Sequence, residues 1–292
     1  MPGPRRPIVP VMAEVPRLLS IAGSDSGGGA GIQADLKAFA ACGAHGMTAI
    51  TAITAQSTAG VEAVEPVTPA MIVAQVRAVA GDIGVDAVKI GMLGDVATIT
   101  AVAEALDLLA PGTPVVLDPV MVAESGARLL ARDAVAALVD RLLPRATVVT
   151  PNLPEAAVLA SVRDGAPAGD PEALARAVHA LGPAVAVVTG GHRDEIVDVV
   201  YDGAQVTRIP GERHADGAAH GSGCTHSSAL AAFLARGEDP VSAARRAREV
   251  AARAVRDGLR GLGAGPGPVD VLGVAAPRRI EHGSAFDIIA PR

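Results

Sequence analysis

The chain contains almost no aromatic side chains and very little cysteine. Its 292 residues include no tryptophan, one tyrosine, three phenylalanines and two cysteines, Cys42 and Cys224. Two isolated cysteines indicate neither a disulfide framework nor a zinc-ligand cluster. Nucleic-acid surfaces need stacking rings and clustered positive charge, whereas this chain has a formal net charge of −6. We therefore expect no nucleic-acid partner.

Long apolar runs are also missing. No segment approaches the roughly 18 consecutive apolar residues of a membrane span, and Pro10, Glu14 and Pro16 interrupt the apolar stretch near the N-terminus. We therefore expect residues 1–16 to form a disordered leader, not a signal peptide, on a cytoplasmic protein with no membrane partner. The 50% of residues that are hydrophobic suffice for one large domain with a sizeable core.

Short β-rich runs alternate with helical patterns along the chain, which is typical of parallel β-α-β units. The strands predicted in this way are Leu18–Ala22, Thr48–Ala55, Ala87–Ile90, Val115–Leu117, Thr147–Thr150 and Ala184–Thr189. An Asp202-Gly203 turn between two further runs predicts an antiparallel hairpin. We predict one α/β domain over residues 17–270, with a mostly parallel sheet, helices on both faces and a small antiparallel hairpin at one edge. Residues 271–292 form a tail, and fraying is expected from about Gly261.

Polar residues and glycines follow six of the predicted strands. They come after Ala22, Ala55, Ile90, Leu117, Thr150 and Thr189. Ligands of an open parallel sheet bind beyond the carboxyl ends of its strands. The sequence therefore predicts one groove that binds small-molecule substrates.

The first of these motifs is a glycine-rich loop, Gly23–Gly31. It lacks the Lys-Ser/Thr of a Walker loop, and Gln56 stands where a dinucleotide-binding fold expects an acidic residue. The best explanation for the glycines of this loop is that its backbone closely approaches a ligand. Asp35, in the first helical turn after the loop, either complements the helix dipole or contacts the ligand. Gln56 either caps a loop or offers a donor and an acceptor to a heterocycle.

Two carboxylates and an amide follow the central strands. Asp118 ends one predicted strand, and Asn152 and Glu155 follow the next. Oxygen ligands of this kind suit Mg²⁺, which keeps several waters and bridges phosphate oxygens. The alternative is ordinary helix capping by Asn152 around Pro154.

A second glycine turn, His220–Thr225, runs directly into an apolar helical pattern. The free amides and the positive dipole end of a helix N-terminus form an anion site, most plausibly for phosphate. Cys224 lies within this turn, where the helix N-terminus favours its thiolate.

Seven motifs, taken in order, resemble those of the hydroxymethylpyrimidine/phosphomethylpyrimidine kinases of thiamine biosynthesis, which have a ribokinase-like fold. The resemblance extends from about Leu18 to Asp270. The motifs are Gly23–Lys37, Thr51–Gln56, Lys89–Leu93, Asp118–Met121, Thr150–Glu155, Gly190–His192 and His220–Thr225.

This resemblance implies a function for each motif. The pyrimidine pocket would be lined by Gly23, Thr54, Gln56, Met92 and Val120. Cys224 looks like the base for the substrate hydroxyl, and the amides of Gly221, Ser222, Gly223 and Cys224 would form the anion hole. Asp118 and Glu155 match the positions that organise Mg²⁺, and the ATP-binding positions are Asn152, Thr189, Gly191 and Thr225. The chain departs from its relatives at Thr189, where several have lysine, and at Ala218-Ala219, where they often have Asn-Thr.

The implied reaction is ATP-dependent phosphorylation of 4-amino-5-hydroxymethyl-2-methylpyrimidine to its monophosphate and then to its diphosphate. Relatives of this kind are commonly homodimers. Two alternatives stay open: a pyridoxine or pyridoxal kinase of the same superfamily, and a non-catalytic regulator that binds pyrimidine phosphate.

Overall fold

The computed structural model describes residues 14–123, 126–162, 169–190, 196–214 and 217–275. The strands within these residues are β1 (Arg17–Asp25), β2 (His45–Gln56), β3 (Val61–Pro66), β4 (Ala87–Ile90), β5 (Val115–Leu117), β6 (Val148–Val149), β7 (Val185–Val188), β8 (Val197–Tyr201) and β9 (Val206–Pro210). They form one sheet in the order β3-β2-β1-β4-β5-β6-β7-β8-β9. The strands from β2 to β7 in this order pair in parallel. β3 pairs antiparallel with β2 at one edge, and β8 and β9 continue antiparallel at the other.

Helices cover both faces of this sheet. They are α1 (Gly31–Ala41), α2 (Pro69–Asp82), α3 (Val96–Leu106), α4 (Ala134–Arg141), α5 (Leu153–Ala160), α6 (Pro171–His179), α7 (Ser222–Leu234) and α8 (Pro240–Arg256), with a short 3₁₀ helix at Leu143–Arg145. Side chains of β1 alternate between the faces: Leu19 and Ile21 pack in a core with α2 to α6, and Leu18 packs in a second core with α1, α7 and α8. This doubly wound arrangement leaves the carboxyl ends of the parallel strands at one edge.

The predicted fold class is confirmed, with two additions. The antiparallel strand β3 at the second edge and the helix α5 were not predicted. The helix α2 begins at Pro69, which occupies its first turn, and the Thr68 hydroxyl accepts a hydrogen bond from the Met71 amide. The hairpin of β8 and β9 is also confirmed.

The segment after Gly261 contradicts the expectation of fraying. Val269 and Asp270 are buried, and the His220 carbonyl accepts a hydrogen bond from the Val269 amide. The Asp270 carboxylate accepts hydrogen bonds from the amides of Val274 and Ala275. Of the predicted leader and tail, residues 1–13 and 276–292 lie outside the described residues. None of the helices in the described ranges combines the length and hydrophobicity that a membrane span requires.

Candidate active site

The glycine-rich loop between β1 and α1 is organised by a buried carboxylate that the sequence reasoning missed. Asp25 accepts hydrogen bonds from the amides of Gly27, Gly29 and Ala30 at 2.8, 3.0 and 2.8 Å. Its Oδ2 also lies 3.3 Å from His220 Nε2. Desolvation acts to raise the pKa of Asp25, but the hydrogen bonds from His220 and the loop amides lower it below its ordinary value. The ionised carboxylate therefore holds the loop against the His220 turn.

The two glycine turns meet backbone against backbone. Gly221 has a φ of 84°, and a Cβ added there would lie 1.8 Å from the Gly29 carbonyl oxygen. A Cβ on Gly29 would lie 2.2 Å from His220 Cδ2. Glycine is therefore required at both positions by close approach, which brings the first and last motifs of the site together.

We expect Gly221→Ala to abolish most activity and to lower the free energy of unfolding by several kcal/mol. Left-handed backbone alone costs an alanine about 1–2 kcal/mol, and the clash with Gly29 adds to this. Gly237→Ala is the matched control, because Gly237 has a φ of 81° and nothing within 4 Å of an added Cβ. Denaturant unfolding of both variants measures the difference. Equal losses would contradict the close contact between the turns.

The start of α7, the predicted anion site, offers a smaller set of free amide donors than predicted. The Ser222 amide donates to the Ala219 carbonyl at 2.9 Å, which removes it from the predicted hole. Among the described residues, the amides of Gly221, Gly223 and Cys224 have no hydrogen-bond partner. The first intrahelical bond runs from Thr225 to Gly221. The N-terminus of α7 thus offers free N–H groups to an anion.

The surroundings of Cys224 oppose the thiolate that its position predicts. Desolvation, together with the carboxylates of Asp35 and Asp118, raises the pKa of its thiol from 9.0 to about 12. Lys89 and the Gly31 amide act in the opposite direction without overcoming burial. Near neutral pH a thiol with so high a pKa is protonated.

A buried ion pair lies beneath Cys224. Lys89 Nζ is 2.9 Å from Asp35 Oδ1, and both side chains are 0% exposed. Asp35 also accepts hydrogen bonds from Ser20 Oγ at 2.6 Å and Ser228 Oγ at 2.8 Å. Desolvation opposes the charge of Lys89, but the neighbouring acidic groups raise its pKa above the ordinary value. Asp35 is therefore fully buried in an ion pair, and its contact with substrate stays a prediction.

The two carboxylates predicted to organise a metal lie close enough to affect each other. Asp118 accepts a hydrogen bond from Ser227 Oγ at 3.0 Å, and burial raises its pKa. Burial and the nearby Asp118 raise the pKa of Glu155 to about 7. Asn152 and Glu155 form a capping box at the start of α5, so the capping alternative is correct for the Asn152 side-chain oxygen. Glu155 Oε1 also accepts the Met121 amide at 3.2 Å.

The residues predicted to line a pyrimidine pocket surround the ends of β1, β2 and β4. Gly23 is packed against Met92, whose sulfur would lie 3.1 Å from a Cβ added to Gly23. Thr54 Oγ1 donates to the Ser24 carbonyl at 3.0 Å and lies 3.1 Å from Gln56 Oε1. The fifth predicted residue, Val120, follows β5 and is partly exposed. Their assignment to substrate stays a prediction.

Two of the residues predicted to bind ATP, Asn152 and Thr189, lie at neighbouring strand ends. A backbone bridge joins Asn152 to Thr189, and the Thr189 amide donates to the Pro151 carbonyl at 2.9 Å. Thr225 is fully buried, and its hydroxyl has no hydrogen-bond partner among the residues that the structure describes. Gly191 lies outside the described residues.

Two residues at the centre of this arrangement, Asp25 and Lys89, had no role in the sequence prediction. Lys89 could have been recognised from the sequence, because it is a lysine within the apolar strand Ala87–Ile90. A charged side chain in a strand that is buried throughout requires a partner. Asp25 gave no comparable signal, because aspartate is common in turns.

Curated relatives match nearly the whole chain. The hydroxymethylpyrimidine/phosphomethylpyrimidine kinase of Rhizobium meliloti (strain 1021) is 49% identical over 258 residues, which are 86% of this chain and 95% of the relative. The enzyme of the same name from Streptomyces coelicolor is 44% identical over 271 residues, which are 92% and 97% of the two chains.

Solved structures of vitamin kinases share the fold. Staphylococcus aureus pyridoxal kinase in complex with AMP-PCP and pyridoxal has a TM-score of 0.78 and 33% identity, covering 92% of this chain and 97% of that one. Phosphomethylpyrimidine kinase from Clostridium difficile 630 has a TM-score of 0.69 and 38% identity, covering 81% and 97%.

The doubly wound sheet and the glycine turn with free amides at the head of α7 define a kinase of the ribokinase-like type. The family model of phosphomethylpyrimidine kinase matches residues 25–270, and the chain belongs to that family.

Proposed function

We propose that the protein transfers the γ-phosphoryl group of ATP to 4-amino-5-hydroxymethyl-2-methylpyrimidine and then phosphorylates the monophosphate, for thiamine biosynthesis. The observation that carries this proposal is the start of α7, where free amides and Cys224 adjoin the strand ends with Asp118 and Glu155. Phosphoryl transfer depends on positioning and charge stabilisation more than on covalent chemistry, and this arrangement supplies both.

The proposed groove has a pyrimidine end and a phosphoryl end, and a different set of residues would bind the ligand at each. The pyrimidine would bind near Gly23, Gln56 and Met92, with its hydroxymethyl group directed toward Cys224. The amides of Gly223 and Cys224 would stabilise the transferring phosphoryl group. Losing one such donor typically costs about 100-fold or more in rate. Lys89, buried below, places positive charge near Cys224 and Asp118.

The donor set fits Mg²⁺. No group of three or more His, Cys, Asp or Glu side chains suited to a metal occurs in the described part of the chain, but Mg²⁺ typically takes one or two carboxylates, waters and substrate phosphates. Two adjoining carboxylates with raised pKa values, Asp118 and Glu155, meet that requirement. A bound Mg²⁺ would supply positive charge to the phosphate oxygens.

We expect the metal-free protein to lose stability as the pH rises through the titration of Glu155. Its carboxyl binds a proton more tightly folded than unfolded, so its contribution is complete below the ordinary pKa of 4.5 and is lost by about pH 7. The expected loss is on the order of 2–3 kcal/mol. Added Mg²⁺ should raise the melting temperature more at pH 8 than at pH 6, since it needs the ionised carboxylate.

Glu155→Gln is the control for this pH dependence. Its difference from the unaltered protein isolates Glu155 from other groups that titrate in the same range. Calorimetric melting at both pH values, with and without Mg²⁺, provides the measurement. A Mg²⁺ effect that is identical in the variant and the unaltered protein at pH 8 would exclude Glu155 as a ligand.

A parallel assay tests the proposed substrates. ATP-Mg²⁺ is offered with the pyrimidine alcohol, its monophosphate and pyridoxal, and we expect the highest kcat/KM for the two pyrimidines. Pyridoxal kinase activity is the second candidate, because the S. aureus pyridoxal kinase gives the higher TM-score of the two structures compared above. The highest kcat/KM with pyridoxal would favour that candidate. ATP turnover by the isolated protein would exclude a non-catalytic regulator.

The assembly and location are part of the same proposal. We infer a cytoplasmic homodimer, supported by family membership and by apolar side chains near one sheet edge: Ile53, Val64 and Met71 are 56%, 41% and 54% exposed. Light scattering should give twice the 29.1 kDa mass of the chain.

A further inference from the structure

A second group of buried charged side chains lies on the nucleotide side of the proposed groove. Asp198 comes from β8, His226 from α7 and Arg248 from α8. Their side chains are 1%, 5% and 14% exposed. Buried charges are costly unless they are well paired. A cluster at this position therefore needs a physical reason.

Pairing within this cluster is incomplete. Arg248 Nη1 is 3.3 Å from Asp198 Oδ1, and His226 Nε2 is 3.7 Å from Asp198 Oδ2, too far for a hydrogen bond. Asp198 Oδ2, His226 Nε2 and Arg248 Nε have no hydrogen-bond partner within the part of the chain that the structure describes. Desolvation lowers the pKa of His226, so this histidine is neutral near pH 7. The contacts among these three side chains alone do not explain why the charged groups are buried together.

The strongest contact of the cluster is with the backbone. The Gly190 amide donates to Asp198 Oδ1 at 2.9 Å. A Cβ on Gly190 would lie 2.0 Å from the Val197 carbonyl oxygen, so this glycine rests directly on β8. Thr189, which immediately precedes Gly190, is a predicted nucleotide contact. Asp198 therefore fixes the backbone at the end of β7, next to the proposed ATP site.

The same cluster reaches the segment that leads to the anion site. The Arg248 guanidinium lies against Gly211, where an added Cβ would be 2.2 Å from Nη2. From Gly211 the chain runs toward the turn at Gly221. His226 directly follows Thr225 in α7. The cluster therefore adjoins three backbone segments that border the nucleotide half of the groove: Gly190, Gly211 and the first turns of α7.

We propose that Asp198 is a positioning residue for ATP, one that sets the nucleotide half of the site by holding Gly190 and, through Arg248, the Gly211 segment that leads toward α7. This inference rests on the proposed nucleotide site at Thr189 and Thr225. It assigns to Asp198 no contact with the reacting atoms.

The test separates the KM for ATP from the KM for the pyrimidine. In Asp198→Ala we expect the KM for ATP to rise about 10- to 100-fold, the size of effect that small misplacements produce. The KM for the pyrimidine at saturating ATP should stay within about twofold. Calorimetry with ADP-Mg²⁺ and no pyrimidine should show weaker binding by a similar factor. Asp198→Asn, which keeps an oxygen for the Gly190 amide, should recover much of the ATP affinity.

Matched variants keep the result interpretable. Asp202→Ala, in the turn of the same hairpin, should leave both KM values unchanged. If Asp198→Ala does not fold, Asp198→Leu with Arg248→Met removes both charges and leaves no unpaired one. A folded variant with an unaltered KM for ATP would overturn the positioning role. Failure of the unaltered protein to bind ADP-Mg²⁺ would instead contradict the proposed nucleotide site itself.

Discussion

Replacing Cys224 with alanine is expected to slow phosphorylation of the pyrimidine alcohol by about 100- to 10,000-fold, the range of general base catalysis. Phosphorylation of the monophosphate should slow by less than about tenfold. The alcohol must lose a proton as it attacks, whereas the monophosphate is already largely ionised near neutral pH. The two steps share the anion site, so a difference between them isolates the thiol.

The protonation state of Cys224 extends this prediction to pH. Burial raises the pKa of the thiol to about 12. At pH values below this pKa, the ionised fraction of the thiol grows about tenfold for each unit by which the pH rises. If Cys224 acts as the base from its ionised form, kcat/KM for the alcohol should rise with pH between about 6 and 9. The rise should be much weaker in Cys224→Ala and for the monophosphate.

Single-turnover rates with each acceptor provide the measurement. Cys224→Ser is the control for the shape of the turn, because serine keeps the backbone and a polar group of similar size. Equal losses in both phosphorylations would contradict a base role. They would indicate that Cys224 maintains the geometry of the turn around Gly221 and Gly223.

The sequence predicted the strand ends well because each carried a local pattern. Buried runs such as Ala87–Ile90 and Val115–Leu117 have the same bounds in the structure. β3 escaped prediction because five of its six residues, Val61–Pro66, are exposed and show no alternation of apolar side chains. Its position depends on pairing with β2, which is a tertiary interaction.

The chemistry of the site was less predictable than its location. The position of Cys224 in a helix N-terminal turn predicted a thiolate, but burial and the carboxylates of Asp35 and Asp118 raise the pKa of the thiol. Asp35 was assigned by its place in α1, whereas its partners Lys89 and Ser228 lie 54 and 193 residues away in the chain. Electrostatics at this site are set by contacts between distant segments, and a local pattern does not contain them.

Replacing Lys89 with methionine is expected to lower the free energy of unfolding by about 3–5 kcal/mol. The variant leaves the Asp35 carboxylate buried without its cation, and breaking a buried pair from one side typically costs this much. Ser20 and Ser228 still donate to Asp35, but two hydroxyl donors do not neutralise a charge. Since domains of this kind have about 5–15 kcal/mol of stability in total, the variant should melt at a markedly lower temperature.

Combining Lys89→Met with Asp35→Asn separates the structural effect of the pair from its effect on chemistry. The double variant has no unpaired charge, so most of the lost stability should return. Activity should stay low, by about 100-fold in kcat, because Lys89 lowers the pKa values of Cys224 and Asp118 by more than Asp35 raises them. Thermal melts and kcat for both acceptors are measured on the same preparations. A stable double variant with unaltered kcat would reduce Lys89 and Asp35 to a structural pair. A stable but slow one would assign the buried lysine to the electrostatics of phosphoryl transfer.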